Sequence, residues 1–298
     1  MKLLTIFTPT YNRAHTLPRL YESLCAQTDK RFEWIVVNDG STDNTNEVLN
    51  RIQREQAVNI IVINKENGGK PRAINDGLKT ANGEFFFMVD SDDYITPDAV
   101  ERLFCWCREI EDDERFVAVG AARAYPNGEY IKGVAPKIDN AGYVDATNLE
   151  RALYDLDADM CEAYKTDIFK KFPFKVWDGE NFAPEQIVLN EMALSGYKIR
   201  WRKDKIYICE YLDDGLTKGS DSLMRRNPMG YAMMYDHMLK YGYPLKKRIK
   251  CVCNMTALAT IGKHPFYFLK SNAKFLGALT FFPSLLLAAR RKKQFRSM

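Results

Sequence analysis

The stretch EFFFMVDSDDYITP, residues 84–97, decides how the rest of the chain is read. Residues 84–89 are almost wholly apolar and β-prone. A short run of that kind between turn residues reads as a strand buried on both faces. It runs into Asp90, Ser91, Asp92 and Asp93. Three carboxylates this close repel one another unless a cation sits among them. On an extended backbone Asp90 and Asp92 share one side, because side chains alternate with period two. Mg²⁺ or Mn²⁺ takes one or two protein carboxylates and fills its other positions with water and substrate phosphates, which suits a D-x-D at a strand mouth. The plain alternative is that these aspartates cap the helix opening near Pro97.

Upstream, residues 3–8 (LLTIFT), 32–37 (FEWIVV) and 60–63 (IIVI) read as three further apolar strands. Helices are expected between them. The first is capped by Thr16, has Pro18 in its first turn and carries Leu17, Leu20, Tyr21 and Leu24 on its apolar face. The second spans 45–56, the third follows Pro71 with Ala73, Ile74 and Leu78, and a fourth runs over 97–109. Strands alternating with helices at this spacing mean a parallel sheet covered on both faces. Ligands of such sheets bind outside the carboxyl ends of the strands. Thr8, Tyr11, Asp39 and Asp90 should therefore converge. No G-x-G-x-x-G follows the first strand, which argues against a dinucleotide oxidoreductase, and no G-x-x-x-x-G-K-[ST] appears, which excludes a P-loop.

Beyond residue 115 the pattern loosens. A strand is expected over 116–122, a hairpin turn at 125–128 leading to a strand over 130–134, a short helix over 148–156 and a strand over 159–164. Residues 177–183 read as a loop. Pro184 sits where a first helical residue is favoured, with Glu185 next and Ile187, Val188, Met192 and Leu194 as apolar positions. Strands follow over 198–201 and 205–211, then a polar loop over 212–222 with Gly215 and Gly219. Helices punctuated by Pro228, Pro244, Pro265 and Pro283 complete the chain.

The 298 residues are 46% hydrophobic and 28% charged, an ordinary globular composition for one large or two smaller domains. The opening MKLLTIFTPTYNR lacks the long apolar core and cleavage site of a signal peptide. Seven cysteines without a C-x-x-C pair argue for a reducing compartment. The net charge of +4 conceals an asymmetry: residues 246–298 hold twelve Lys and Arg and no Asp or Glu, leaving the body at −8. Within that tail, FLGALTFFPSLLLAA (275–289) is broken by Pro283 and is shorter than the roughly 20 apolar residues a spanning helix needs. Basic residues flank it and aromatics are interleaved. An interfacial helix on an anionic membrane surface is the expectation, against a helix packed on the body or on a second subunit. No nucleic-acid motif accompanies the charge.

TPTYNR at 8–13, VVNDGSTD at 36–43, NGGKPRAINDG at 67–77 and DSDD at 90–93 resemble, in order and spacing, the inverting family 2 glycosyltransferases of bacterial surface-polysaccharide type. The resemblance covers residues 1–110. It implies an α/β GT-A nucleotide-diphospho-sugar transferase fold, with a mostly parallel central sheet flanked by helices. The implied catalytic domain spans 1–222, with a nucleotide-binding half (1–110) and an acceptor-binding half (111–222). Residues 223–298 form a helical, basic, membrane-associating extension. The implied activity is that of a metal-dependent hexosyltransferase. It takes a sugar from a UDP-sugar to a glycan or polyprenyl-linked glycan with inversion, cytoplasmic and peripheral at the inner face of the plasma membrane.

The resemblance also implies roles. Thr8 and Tyr11 frame the base and ribose, and Asp39 accepts a hydrogen bond from uracil. Arg72, with Lys70, faces the diphosphate from a glycine-rich loop before a helix, a setting that favours anions. Asp90 holds the ribose or a metal-bound water, and Asp92 ligates Mn²⁺ or Mg²⁺. Glu185 is the candidate general base, with Asp178 and Glu180 as competitors. Asp93 is read as a capping or supporting residue. Two departures stand out. Gln186 replaces the family's Asp, and Tyr197 stands where processive members have Gln ahead of Arg200-Trp201, so single addition is expected.

Plainer readings sit beside these. Asp39 is an Asx-turn brace, Lys70 and Arg72 are solvated cations, and Glu185 is a first-turn acid favoured by the helix dipole. The rival functions are a sugar-1-phosphate nucleotidyltransferase and a catalytically silent nucleotide- or glycan-binding module. The first wants a glycine-rich loop with Arg after the first strand, which residues 8–13 lack.

Overall fold

The computed structural model describes residues 3–210, 220–271 and 273–296. The first strands and helices alternate as β1 (Leu4–Thr10), α1 (Leu17–Cys25), β2 (Phe32–Asp39), α2 (Thr45–Glu55), β3 (Ile60–Lys65), α3 (Lys70–Thr80) and β4 (Phe85–Met88). Period-two alternation sorts the strand side chains onto two faces. Leu4, Ile6, Trp34, Val36, Phe85 and Phe87 join one core cluster with Leu17, Leu20, Tyr21 and Leu24 of α1 and Leu49 and Ile52 of α2. Phe7 and Phe86 point the other way and stack at 5.0 Å. Helix α3 closes on Phe7 so tightly that a Cβ at Gly77 would lie 2.2 Å from its ring. Thr16 occupies the N-cap of α1, but its hydroxyl turns back to the carbonyl of Arg13 at 3.4 Å instead of capping.

The chain continues through β5 (Tyr94–Ile95), α4 (Ala99–Arg108), β6 (Phe116–Ala124), β7 (Val144–Ala146), β8 (Met160–Lys165), α5 (Thr166–Phe169), α6 (Gln186–Leu194) and β9 (Lys198–Ile208). Strand order is β3-β2-β1-β4-β8-β6-β9-β5, with β7 beside β9. The run β3-β2-β1-β4 is parallel throughout. Strand β8 then enters antiparallel to both β4 and β6, while β9 pairs parallel with β6. The result is an α/β GT-A-type sheet flanked by helices, followed by a helical C-terminal extension.

Several sequence expectations change. Residues 130–134 form no strand: one bridge joins Ala124 to Tyr130, and Gly128 and Gly133 at φ +83° and +77° turn the chain away. The expected helix over 148–156 is a 3-10 helix, Asn148–Tyr154, opened by a Thr147–Glu150 capping box. The strands over 198–201 and 205–211 are one, β9, whose polar middle is partly exposed and bulges against β6. The loop containing Gly215 and Gly219 lies outside the described residues; residues 220–222 are already helical.

Two compact units result. One holds the described residues up to Pro173 with Leu189–Glu210, and so the whole sheet. The other holds Phe174–Val188 with the described residues from Ser220 onward: α7 (Ser220–Arg226), α8 (Pro228–Met238), α9 (Leu245–Ile261), α10 (Lys274–Leu279) and α11 (Phe281–Arg296). Its core gathers Met229, Val252, Met255, Leu258 and Phe268. The tail expected as one helix is two, α10 and α11, with Pro283 in the first turn of α11, where proline is tolerated.

Candidate active site

The carboxyl ends of β1, β2, β3 and β4 carry four loops that bond to one another in a ring. After β1, the Asn12 N–H donates to Ser41 Oγ at 2.9 Å, Asn12 Oδ1 accepts from the Thr42 N–H at 2.8 Å, and the Arg13 N–H donates to Thr45 Oγ1 at 3.0 Å. At the end of β2, Asp39 Oδ1 accepts from Lys65 Nζ and from the Gly68 N–H, both at 2.8 Å, and Oδ2 accepts from the Gly69 N–H at 2.7 Å. The turn after Asp39 requires glycine: Gly40 has φ +76° and a Cβ there would meet Asn67 N at 2.6 Å. Helix α3 opens at Lys70, whose Nζ lies 2.8 Å from Asp90 Oδ1, while Arg72 Nη1 donates to the Gly68 carbonyl at 2.7 Å. The ring closes where Arg13 Nη2 stands 3.8 Å from Asp92 Oδ2 and Arg19 of α1 donates to the Asp92 carbonyl.

The acidic mouth is charge-balanced from a second direction. Arg123 of β6 lies 3.6 Å from both Asp90 Oδ2 and Asp93 Oδ2, with its guanidinium 4.1 Å from the centre of the Tyr207 ring. Tyr207 donates its hydroxyl proton to Asp93 at 2.7 Å and accepts the Asp90 N–H at 2.9 Å. Burial pushes the Asp90 carboxyl up, but Lys70 and Arg123 outweigh it and hold the group below the usual carboxylate range. Burial and then the Asp90 charge raise Asp92, with Arg13 opposing. The same two causes raise Asp93 to about 7. The capping alternative falls: the N-cap of α4 is Asp98, and Asp93 is buried against Tyr207 and Arg123.

Among the described residues no group of three or more His, Cys, Asp or Glu gathers as a metal site. Yet a divalent ion that completes its shell with substrate phosphates and water needs only one or two carboxylates. Asp92 offers one whose ionisation burial and Asp90 resist, and which a cation would relieve. The donor set therefore fits Mg²⁺ or Mn²⁺.

The sequence-predicted residues fare differently. Asp39, Arg72, Asp90 and Asp92 belong to the ring. Tyr11, 47% exposed, stands on the β1 loop. Thr8 does not reach the edge. Strand β1 runs to Thr10, and Thr8 is fully buried, its hydroxyl accepting from Trp34 Nε1 at 3.0 Å. Glu185 lies in the second unit, half-buried, one residue before α6 and not in its first turn; its carbonyl accepts from the Val188 N–H at 2.9 Å. Its competitor Glu180 is buried and spends its carboxylate on the N–H groups of Met229 and Gly230, both at 2.8 Å, at the start of α8. Burial raises that carboxyl. Arg13, Arg123 and Tyr207 join the site without a role expected from the sequence. A lone arginine in the otherwise apolar FVAVGAARA of β6 was the available signal, since an arginine in a buried strand demands an anionic partner.

The family description "Glycosyl transferase family 2" matches residues 5–172. Glycosyltransferase GlyA of Streptococcus pneumoniae serotype 4 is 36% identical over 126 residues, 42% of this chain and 18% of GlyA, so the chain spans under a fifth of that relative. Poly(ribitol-phosphate) beta-N-acetylglucosaminyltransferase TarS of Staphylococcus aureus is 26% identical over 211 residues, 70% of this chain and 35% of TarS. The structure of S. aureus TarS 1-349 in complex with UDP-GlcNAc matches with a TM-score of 0.61 at 20% identity, covering 99% of this chain and 92% of that one. Mannosyltransferase PcManGT from Pyrobaculum calidifontis, in complex with GDP-Man and Mn²⁺, matches with a TM-score of 0.57 at 17% identity, covering 98% and 83%. The two structural likenesses carry the fold alone. The family match takes in more than half of the sequence, including all four bonded loops, and on that ground the chain belongs to glycosyl transferase family 2.

Proposed function

We propose that this chain is a metal-dependent inverting hexosyltransferase. It moves one sugar from a UDP-sugar to a glycan or polyprenyl-linked glycan in surface polysaccharide synthesis. The observation that supports this most is the bonded ring of loops at the strand ends, which sets Asp39, Asp90 and Asp92 beside Arg13, Lys70 and Arg72. A pyrophosphate needs such cations next to backbone N–H groups at a helix start, and α3 begins there. Asp39 keeps an acceptor position on Oδ2, which suits the imide N–H of uracil, while Tyr11 flanks the base. The TarS complex with UDP-GlcNAc favours a uridine donor; PcManGT holds GDP-Man, so guanine is the alternative base.

Asp92 would hold Mn²⁺ or Mg²⁺, with Asp90 on the ribose or a metal-bound water. When bound, the ion supplies Lewis-acid stabilisation of the leaving diphosphate. Arg13 and Lys70 add positive charge where the diphosphate departs, and Arg123 keeps Asp90 ionised. Glu185 takes the proton from the attacking acceptor hydroxyl, a role typically worth ~10²–10⁴-fold. Tyr197, in the place of the processive glutamine, supports single addition.

A thermal-shift screen of UDP- and GDP-sugars with and without Mn²⁺, followed by NMR of the product anomer, tests this reading. Stabilisation by a UDP-sugar and an inverted product support it. Stabilisation by GDP-sugars alone overturns the donor. Binding without hydrolysis or transfer in the presence of glycan acceptors makes the chain a silent binding module.

A further inference from the structure

We infer that the second unit carries a membrane-docking face, formed by the outward sides of α10 and α11 and the turn before them, that seats on an anionic lipid bilayer. Helix α11 is two-sided. Ser284, Ala288 and Phe295 are buried at helical spacing, Arg291 donates to Asn254 of α9, and Arg225 of α7 donates to the Phe295 carbonyl at 3.0 Å. One side of the helix is thus spent on packing within the unit. The opposite side reads Phe282, Leu286, Arg290 and Lys293, all exposed. On α10, Phe275 and Leu279 lie four residues apart and are exposed as well.

These four large apolar side chains, with Phe266 and Leu269 from the preceding turn, are between 53% and 78% exposed. Phe266 stacks on Phe281 at 5.6 Å, and Phe281 meets Phe282 at 6.0 Å, so the turn and α11 present one aromatic surface. That much contiguous apolar side chain facing water marks a docking surface.

Charge selects the occupant. Residues 246–298 hold twelve basic and no acidic residues, and Lys270, Lys274, Arg290 and Lys293 border the apolar stripe. Apolar anchors rimmed by cations match a layer of acyl chains beneath anionic headgroups. A second copy would set the same cations against each other and pay like-charge repulsion. Among the described residues no helix is long and apolar enough to cross a membrane, so the contact is interfacial.

Cosedimentation of the full chain with phosphatidylcholine vesicles, with and without phosphatidylglycerol, tests the inference, and its readout is independent of sugar transfer. The wild type should bind the anionic vesicles, and high salt should release it. Phe282→Ser with Leu286→Ser should weaken that binding by at least ~10-fold, as expected for two lost apolar anchors, and Arg290→Gln with Lys293→Gln should weaken it on anionic vesicles. Unchanged circular dichroism and melting would show that each variant folds. Equal binding to neutral vesicles, or no loss in either variant, overturns the inference. So does a wild-type dimer that Phe282→Ser with Leu286→Ser makes monomeric while neither form binds vesicles.

Discussion

Asp39→Asn separates a residue that reads the base from one that builds the loop the base rests on. Asp39 is 4% exposed and holds three donors: the N–H groups of Gly68 and Gly69 and the ammonium of Lys65. Asparagine keeps the shape but offers one oxygen, so its amide N–H₂ faces one of these donors. Leaving a buried donor unpaired costs ~1–3 kcal/mol, and the bonds that remain lose their charge assistance. Together these put the destabilisation at about 2–4 kcal/mol. At ~2–4 °C per kcal/mol for a domain of this size class, the melting temperature should fall by roughly 5–15 °C. Affinity for UDP should fall as well, by ~10-fold or more, because the displaced loop carries Lys70 and the N-terminus of α3. Thermal melting followed by circular dichroism and UDP titration by calorimetry read the two effects. A melting temperature within ~1 °C of wild type would show that the three bonds do not hold the loop. A large thermal loss with unchanged UDP affinity would remove the loop from the donor site.

Other perturbations probe other parts of the site. Asp92→Asn should abolish the gain in UDP affinity that Mn²⁺ confers while leaving metal-free affinity nearly intact; an undiminished Mn²⁺ effect would end the metal assignment. Glu185→Gln should preserve donor binding and lower transfer by ~10²–10⁴-fold, and retained turnover would move the base to Asp178. For Glu180 the sign follows from burial, which raises its carboxyl above the ordinary 4.5. The folded state then holds that proton more tightly than the unfolded state. The associated stability is complete below 4.5 and is lost as pH rises through the folded value. Glu180→Gln cannot ionise, so wild type should lose ground to it in urea melts as pH climbs from acid toward neutral. A difference independent of pH would contradict the burial argument.

The first four strands and the helices between them were legible because each carries its own period. Leu17, Leu20, Tyr21 and Leu24 are the buried face of α1 as expected. Strand β1 runs two residues past the expected end at Thr8, so Thr8 lies inside the strand and not on the loop. Carried through to Thr10, the alternation Leu4, Ile6, Thr8 puts the hydroxyl on the layer of Trp34, where it lies. Of the two readings of Asp93, support agrees with its place beside Tyr207 and Arg123, and the cap of α4 does not. The two-residue β5 intervenes, and it owes its existence to pairing with β9, over a hundred residues later. Arg123 and Tyr207 reach the acidic mouth only because β8 enters between β4 and β6, a long-range pairing no local period encodes. The three-residue β7 is likewise too short for a period to announce it, whereas the helix expected over 148–156 is present as the 3-10 helix Asn148–Tyr154.

Arg123 and Lys70 make the two carboxylates of the D-x-D unequal as sites for a dication. Asp90 already has Lys70 at 2.8 Å and Arg123 at 3.6 Å on its two oxygens, and its ionised form is favoured as it stands. An incoming dication would have to displace or be repelled by those cations. On Asp92 the Arg13 guanidinium stands 3.8 Å away, beyond hydrogen-bond reach, and burial and the Asp90 charge oppose its ionisation. On these charges a dication would gain more at Asp92 than at Asp90, whose two oxygens already face Lys70 and Arg123. The D-x-D is thus asymmetric in this chain because β6, from the far half of the sheet, delivers an arginine to its first member and not to its second.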